Sequence, residues 1–225
     1  MRLLAFDTTG ERLGLALDDG GRVRRRLERG GRDQDEVLQG AVDRLLKAAG
    51  LALSDIDAFV AVTGPGRFTG IRVGLTFATV LAKALGKKAV GVSWFEACAW
   101  RVFALAGEGE LIVAAVPGWK GEFFFQVFRR EQDRPRPLHP PRWARPEDLS
   151  RELKADLGEA EARFVGPAGP AMLEHARGAA AAGGPLAAVD LLPPAKARLA
   201  AADVDELAPL YVKPPHYEKS APRAT

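Results

Sequence analysis

Cysteine occurs once, at Cys98, so no internal disulfide can form and no thiolate cluster is on offer for zinc. Histidine is nearly as scarce. His139, His175 and His216 are widely separated and two of them adjoin prolines, which argues against a multi-histidine metal site. No histidine neighbours a plausible Ser or Cys nucleophile, so an acyl-transfer triad has no footing. The pattern Gly-x-x-x-x-Gly-Lys-[Ser/Thr] is missing, which excludes a P-loop. No apolar run reaches the ~20 residues that a membrane-spanning helix needs. Met1 and Arg2 lead directly into Leu3 to Phe6, without an apolar stretch and cleavage site, so a cytoplasmic protein without a secretory signal is expected.

What is present is ordinary globular composition: 225 residues, 47% hydrophobic and 27% charged. That length holds one large domain or two small ones. Thirty-two Lys and Arg against 29 Asp and Glu leave a net charge of only +3, without the dense basic face of a general nucleic-acid binder. One basic run stands out: Arg22, Arg24, Arg25, Arg26, Arg29 and Arg32. It reads either as the solvated side of an edge strand, where positive charge discourages sheet-to-sheet aggregation, or as a contact for RNA or an acidic partner. Enrichment in Arg, Ala, Leu and Pro fits a GC-rich or a heat-adapted genome equally well.

The order of elements is informative. Leu3 to Phe6, the alternating Leu13, Leu15 and Leu17, and a basic segment from Val23 to Leu27 read as a three-stranded meander with a hairpin turn at Asp18-Asp19-Gly20-Gly21. A helix is predicted over Gln34 to Ala49, with Leu38, Ala41, Val42, Leu45 and Leu46 on one face and Gly50 as its stop. A strand over Ala58 to Val62, a helix from about Thr69 to Leu85, a strand over Lys87 to Val92 and a Ser93-capped helix to about Phe103 follow. The second helix is apolar almost all round, and Gly70, Gly74, Ala78 and Ala82 form a smooth stripe for close backbone approach.

The second half restarts with a hairpin, Leu111 to Val116 and Phe123 to Phe128 around Pro117 to Gly121. Residues 132–146 read as loop and edge segments. Helices are predicted over Leu149 to Leu157, Ala171 to Ala182 and Ala195 to Ala202, and strands over Ala162 to Val165 and Leu186 to Val189. The repeated opening implies an α/β fold of two related subdomains of the actin, hexokinase and Hsp70 type. Each is a mixed sheet that opens with a meander or hairpin and is flanked by helices. The expected division is 1–105, 106–212 and a mobile tail at 213–225.

Two segments could carry chemistry. Asp7-Thr8-Thr9-Gly10 ends the first strand, where actin-like phosphotransferases place a metal-directing aspartate and small residues for phosphates; a plain hairpin turn explains it equally. Gly64-Pro65-Gly66-Arg67-Phe68-Thr69-Gly70 puts glycines ahead of a helix N-terminus, where an anion could sit or the chain could simply turn tightly. Cys98 lies mid-helix among Trp94, Phe95 and Trp100 and reads as buried packing.

Taken together, Leu4-Ala5-Phe6-Asp7-Thr8-Thr9, the Ala61 to Gly74 stretch and Gly91-Val92-Ser93 with Phe95-Glu96-Ala97 resemble the TsaB family of threonylcarbamoyladenosine biosynthesis subunits. Gly121-Glu122 and Pro209-Leu210-Tyr211-Val212-Lys213 echo it further on. The resemblance implies a non-catalytic paralogue of the catalytic subunit TsaD. The two positions that correspond to the TsaD His-x-x-x-His metal motif are Trp94 and Cys98, neither able to replace histidine there. It also implies heterodimerisation with TsaD, a ternary complex with the ATPase TsaE, indirect contact with tRNA through that complex, and a homodimer when alone. No catalytic residue, metal or cofactor is expected.

The partner contact implied uses the first two helices, with Leu38, Val42, Leu45, Gly70, Val73, Gly74, Phe77 and Val80 as candidates. Asp7, Thr8, Thr9 and Gly10 would then be a vestigial phosphate loop; the alternative is an ATP-dependent phosphotransferase that uses Asp7. Two positions depart from the family pattern: Gln34-Asp35-Glu36 stands where His-Ser-Glu often opens the first helix, and Pro117-Gly118-Trp119 stands for Asp-Ala-Arg.

Overall fold

A computed structural model describes residues 1–28, 34–180, 184–204 and 207–213. Arg29 and Arg32, the Asp205–Glu206 pair and the tail beyond Lys213 lie outside the described residues, as do the side chains of Gln34, Asp35 and Glu36.

The first sheet is built from β1 (Leu3–Asp7), β2 (Leu13–Asp18), β3 (Val23–Glu28), β4 (Ala58–Gly64) and β5 (Lys88–Ser93) in the order β3-β2-β1-β4-β5. The meander pairs antiparallel, while β4 and β5 join β1 in parallel through the crossover helices α1 (Gln34–Ala49) and α2 (Phe68–Leu85). The second sheet comprises β6 (Leu111–Pro117), β7 (Phe123–Arg130), β8 (Pro135–Pro137), β10 (Ala162–Val165) and β11 (Gly178–Ala180), with β9 (Arg142–Ala144) on β7. Its order, β8-β7-β6-β10-β11, repeats the first sheet strand for strand: two antiparallel pairings, then two parallel ones. The duplicated actin-like α/β architecture is therefore present in the topology itself.

Period-two burial sets the layers. Leu4, Phe6, Leu13, Leu15 and Leu17 face α1 and α2, whereas Leu3, Ala5 and Ala16 share a core with α3 (Trp94–Val102) and with Ile112, Ala114 and Val116 of the second sheet. The opposite face of that second sheet packs on α4 (Pro146–Leu157) and α5 (Gly169–Met172). Ser93 caps α3, its Oγ accepting the Glu96 amide at 3.1 Å. By length and composition α2 is the one helix among the described residues that could cross a membrane, at 18 residues and a mean hydropathy of 1.3. It buries Gly70, Ile71, Gly74, Leu75, Ala78 and Ala82 against the first sheet.

Two expectations are corrected. The helix foreseen over Ala171 to Ala182 stops with α5 at Met172, and Gly178–Ala180 is instead strand β11. The reason is a contact distant in sequence: Gly178, at φ +154°, pairs with Ala162 of β10 and runs so close to its carbonyl that any Cβ there would collide with it. Leu186 to Val189 is no strand; the chain leaves Pro185 extended and turns into a 3₁₀ segment at Ala188–Leu191 that leads into α6 (Leu192–Ala200). Residues 188–200 pack into the core that lies between the two sheets. Ala188, Leu191, Leu192 and Ala195 enter the core shared with β1 and β2, and Lys196 pairs with the buried Asp18 of β2.

Candidate functional site

The Asp7 to Gly10 turn and the Gly64 to Gly70 loop lie against each other. Thr8 and Thr9 are 1% and 4% exposed, and their polar groups are consumed within the chain. The Thr8 hydroxyl donates to the Gly70 carbonyl at 2.6 Å. Thr9 donates its amide and its hydroxyl to Asp7 Oδ1, at 2.9 and 2.7 Å. Its hydroxyl accepts Trp94 Nε1 at 3.0 Å, and its carbonyl accepts the Arg67 amide at 2.9 Å. Burial lifts the Asp7 carboxyl above the usual range, against the lowering effect of the two Thr9 hydrogen bonds. In this Asx-type turn the Thr9 amide and both threonine hydroxyls are already engaged within the chain, so a phosphate would have to displace them.

This packing accounts for the glycines. A Cβ at Gly66 would sit 2.5 Å from Thr9 Cβ, and one at Gly74 would sit 2.5 Å from Thr8 Oγ1. At Gly70 it would run into the Thr8 carbonyl. The smooth stripe read on α2 thus receives the chain's own Thr8–Thr9 turn. Gly64, at φ +139°, has the Leu210 carbonyl where a Cβ would come within 2.5 Å.

That carbonyl belongs to a strap, residues 207–213, which crosses between the sheets. The Leu210 amide donates to Thr63 O at 2.8 Å. Tyr211 stacks on Phe68 with ring centroids 5.2 Å apart, and its hydroxyl accepts Arg72 Nε at 3.2 Å. Lys213 reaches Glu122 Oε1 at 2.6 Å, with its ammonium 3.9 Å from the centre of the Trp143 ring. In the sequence the strap shows only as the family echo Pro209 to Lys213, and Glu122 and Lys213 each belong to one of the two echoes beyond residue 105. Arg198 of α6 makes a similar link, holding both Glu96 oxygens at 3.1 and 2.8 Å and Gly91 O at 3.0 Å.

Trp94 and Cys98 are 5% and 0% exposed. Burial pushes the Cys98 thiol up to about 12, so it stays protonated at neutral pH. Among the described residues, no three His, Cys, Asp or Glu side chains gather as a metal-binding group.

The candidate partner residues separate. Leu38, Val42 and Leu45 are buried beneath the first sheet as its core, and Gly70 and Gly74 face Thr8, so these five build the subdomain and present no side chain outward. Val73 and Phe77 are half-buried, Phe77 meeting Phe6 edge-on at 5.4 Å, and Val80 is 56% exposed. An amphipathic stripe reports that a face is covered but not by what, and here the sheet covers it.

Residues 28–149, more than half of the chain, match the family model described as TsaD, tRNA N6-adenosine threonylcarbamoyltransferase. The chain is 31% identical over 133 residues to the tRNA threonylcarbamoyladenosine biosynthesis protein TsaB of Escherichia coli K12, covering 59% of this chain and 57% of that protein. It is 33% identical over 134 residues to TsaB of Haemophilus influenzae, covering 60% and 56%. The matched segment thus spans less than two thirds of either relative. The solved structure of YeaZ from Pseudomonas aeruginosa superposes with a TM-score of 0.70 at 28% identity, covering 93% of this chain and 99% of that one.

Proposed function

From its membership of the TsaD family, tRNA N6-adenosine threonylcarbamoyltransferase, and its similarity to TsaB, we propose that this chain is a non-catalytic partner subunit in threonylcarbamoyladenosine formation on tRNA. In this reading it works in the cytoplasm by pairing with a TsaD-type subunit, with TsaE as the third component, and pairs with itself when alone. The observation that carries it is the state of Trp94 and Cys98. At the two positions where the family resemblance places metal-binding histidines stand a buried indole bonded to Thr9 and a buried, protonated thiol. A phosphotransferase built on Asp7 is disfavoured by the same geometry, because the Thr8 hydroxyl and the Thr9 amide and hydroxyl are spent on Gly70 and Asp7.

The face left for a partner is the outer side of α2, where Val73, Phe77 and Val80 lie among Arg72, Thr76 and Lys83. Light-scattering chromatography of this protein alone and mixed with its cognate TsaD-type subunit tests the proposal. A dimer alone that converts to a one-to-one complex is the expected result. Separate elution of the two proteins at micromolar concentration would overturn it.

A further inference from the structure

The basic edge of the first sheet has a feature that charge alone does not require. Strand β3 is the outermost strand, so half of its backbone donors and acceptors point away from β2. Val23 and Leu27 project from the same face of it, 43% and 55% exposed, with the exposed Arg25 between them. Two apolar side chains at period-two spacing are what a neighbouring strand packs against.

A cavity of about 660 Å³ opens on this same edge. The strand register places Asp7 opposite Gly14 and Gly14 opposite Leu27, so one cross-strand row forms its floor. The segment from Pro185 to Val189 forms the facing wall, and Arg12, Arg25, Arg26 and Glu11 also line the cavity. Gly14 keeps the floor low, since a Cβ there would already touch Asp7 Cβ at 3.5 Å and Ala188 Cβ at 3.6 Å. The volume falls within the ~300–1,000 Å³ of typical binding clefts.

We propose that the β3 edge and this cavity form a docking site for an acidic peptide segment, bound as an added strand with an apolar side chain in the cavity. Main-chain pairing would supply affinity, and alternate side chains would supply selectivity. Charge complementarity argues for the acidic partner: Arg22, Arg24, Arg25 and Arg26 stand in and beside this strand, with Arg24 held by Asp19. The same charge repels a second copy of β3, which removes the self-paired alternative. Single-stranded RNA is the less suited ligand, because β3 carries no aromatic side chain on which bases would stack.

The test uses the full-length protein and a fluorescein-labelled nine-residue peptide of alternating Glu and Leu, read by anisotropy at 0.1 M salt. Two further peptides carry N-methyl groups on every second amide, one in each phase. Binding of the parent peptide, loss of binding in one methylated phase, and a weakening of roughly tenfold in Arg25→Glu and in Leu27→Asp are expected. Both positions are exposed, so these variants should melt like the wild type. Failure of the parent peptide to bind, equal binding of both methylated phases, indifference to Leu27→Asp, or displacement of the peptide by an oligouridylate of the same length would each overturn the proposal.

Discussion

Lys213 and Glu122 form a nearly buried ion pair, 2.6 Å from Nζ to Oε1, with side chains only 16% and 9% exposed. It joins the end of the strap to the turn that opens the second sheet. The other carboxylate oxygen, Glu122 Oε2, is buried without a hydrogen-bond partner among the described residues, so the ammonium is what compensates this charge. Removing one member of a buried pair costs about 3–5 kcal/mol, because the other charge is left behind. Lys213→Met should therefore lower the melting temperature by roughly 6–20 °C. The double variant Lys213→Met, Glu122→Gln should recover much of that loss in a double-mutant cycle. Additive losses would mean that the pair does not act as a unit.

The glycine stripe predicts a chemical distinction between two neighbouring substitutions. Gly74→Ala meets only the Thr8 hydroxyl, whereas Gly70→Ala meets the Thr8 backbone carbonyl. The first should cost about 1–3 kcal/mol by overpacking and should be partly rescued by Thr8→Ala. The second should be the more damaging and gain nothing from Thr8→Ala. Chemical denaturation of the four variants reads this out, and equal rescue of both would refute the geometry.

Cys98 gives a prediction with a definite pH window. Its thiol is raised from 9.0 to about 12 by burial, so between those values the folded chain holds a proton that the unfolded chain has released. Its contribution to stability is thus complete below pH 9 and is lost as the pH rises through 9 towards 12. The stability difference between the wild type and Cys98→Ala should shrink over that range. A thiol reagent at pH 8 should label the protein only once it unfolds; rapid labelling of the native state is the contrary result.

For the partner face, exposure decides which substitution is informative. Val80→Glu, at an exposed helix position, should change stability by no more than about 0.5 kcal/mol while weakening association with a TsaD-type subunit tenfold or more. Leu45→Glu, at a residue 4% exposed in the core, should instead unfold the chain. A Val80→Glu protein that associates like the wild type excludes this face.

Strands and helices that bury one face against one layer were legible in the residues. Leu13, Leu15 and Leu17 alternate because β2 has one face on α1 and α2, and Ser93 marks its helix because capping is a local event. The misread segments are those decided at a distance. Ala171 to Ala182 has helix-forming composition, but the chain at Gly178 to Ala180 pairs with β10, and no local preference announces a sheet edge that needs a partner. Leu186 to Val189 has the residues of a strand but returns across the molecule to lie on β1 and β2. The site was half legible: the Gly64 to Gly74 pattern was visible, while its partners, Thr8, Thr9 and Leu210, lie at the two ends of the chain.

The closed Thr8–Thr9 turn sets the terms on which any solute could compete for it. The Gly70 carbonyl and the Asp7 carboxylate are tethered rivals, and a short tether holds a rival at an effective concentration of millimolar or more. That local concentration is a property of the polypeptide and does not follow the supply of nucleotide around it. Whatever enters beside the turn therefore has to out-compete groups that never diffuse away, and each hydrogen bond it gains there is set against one that the chain gives up.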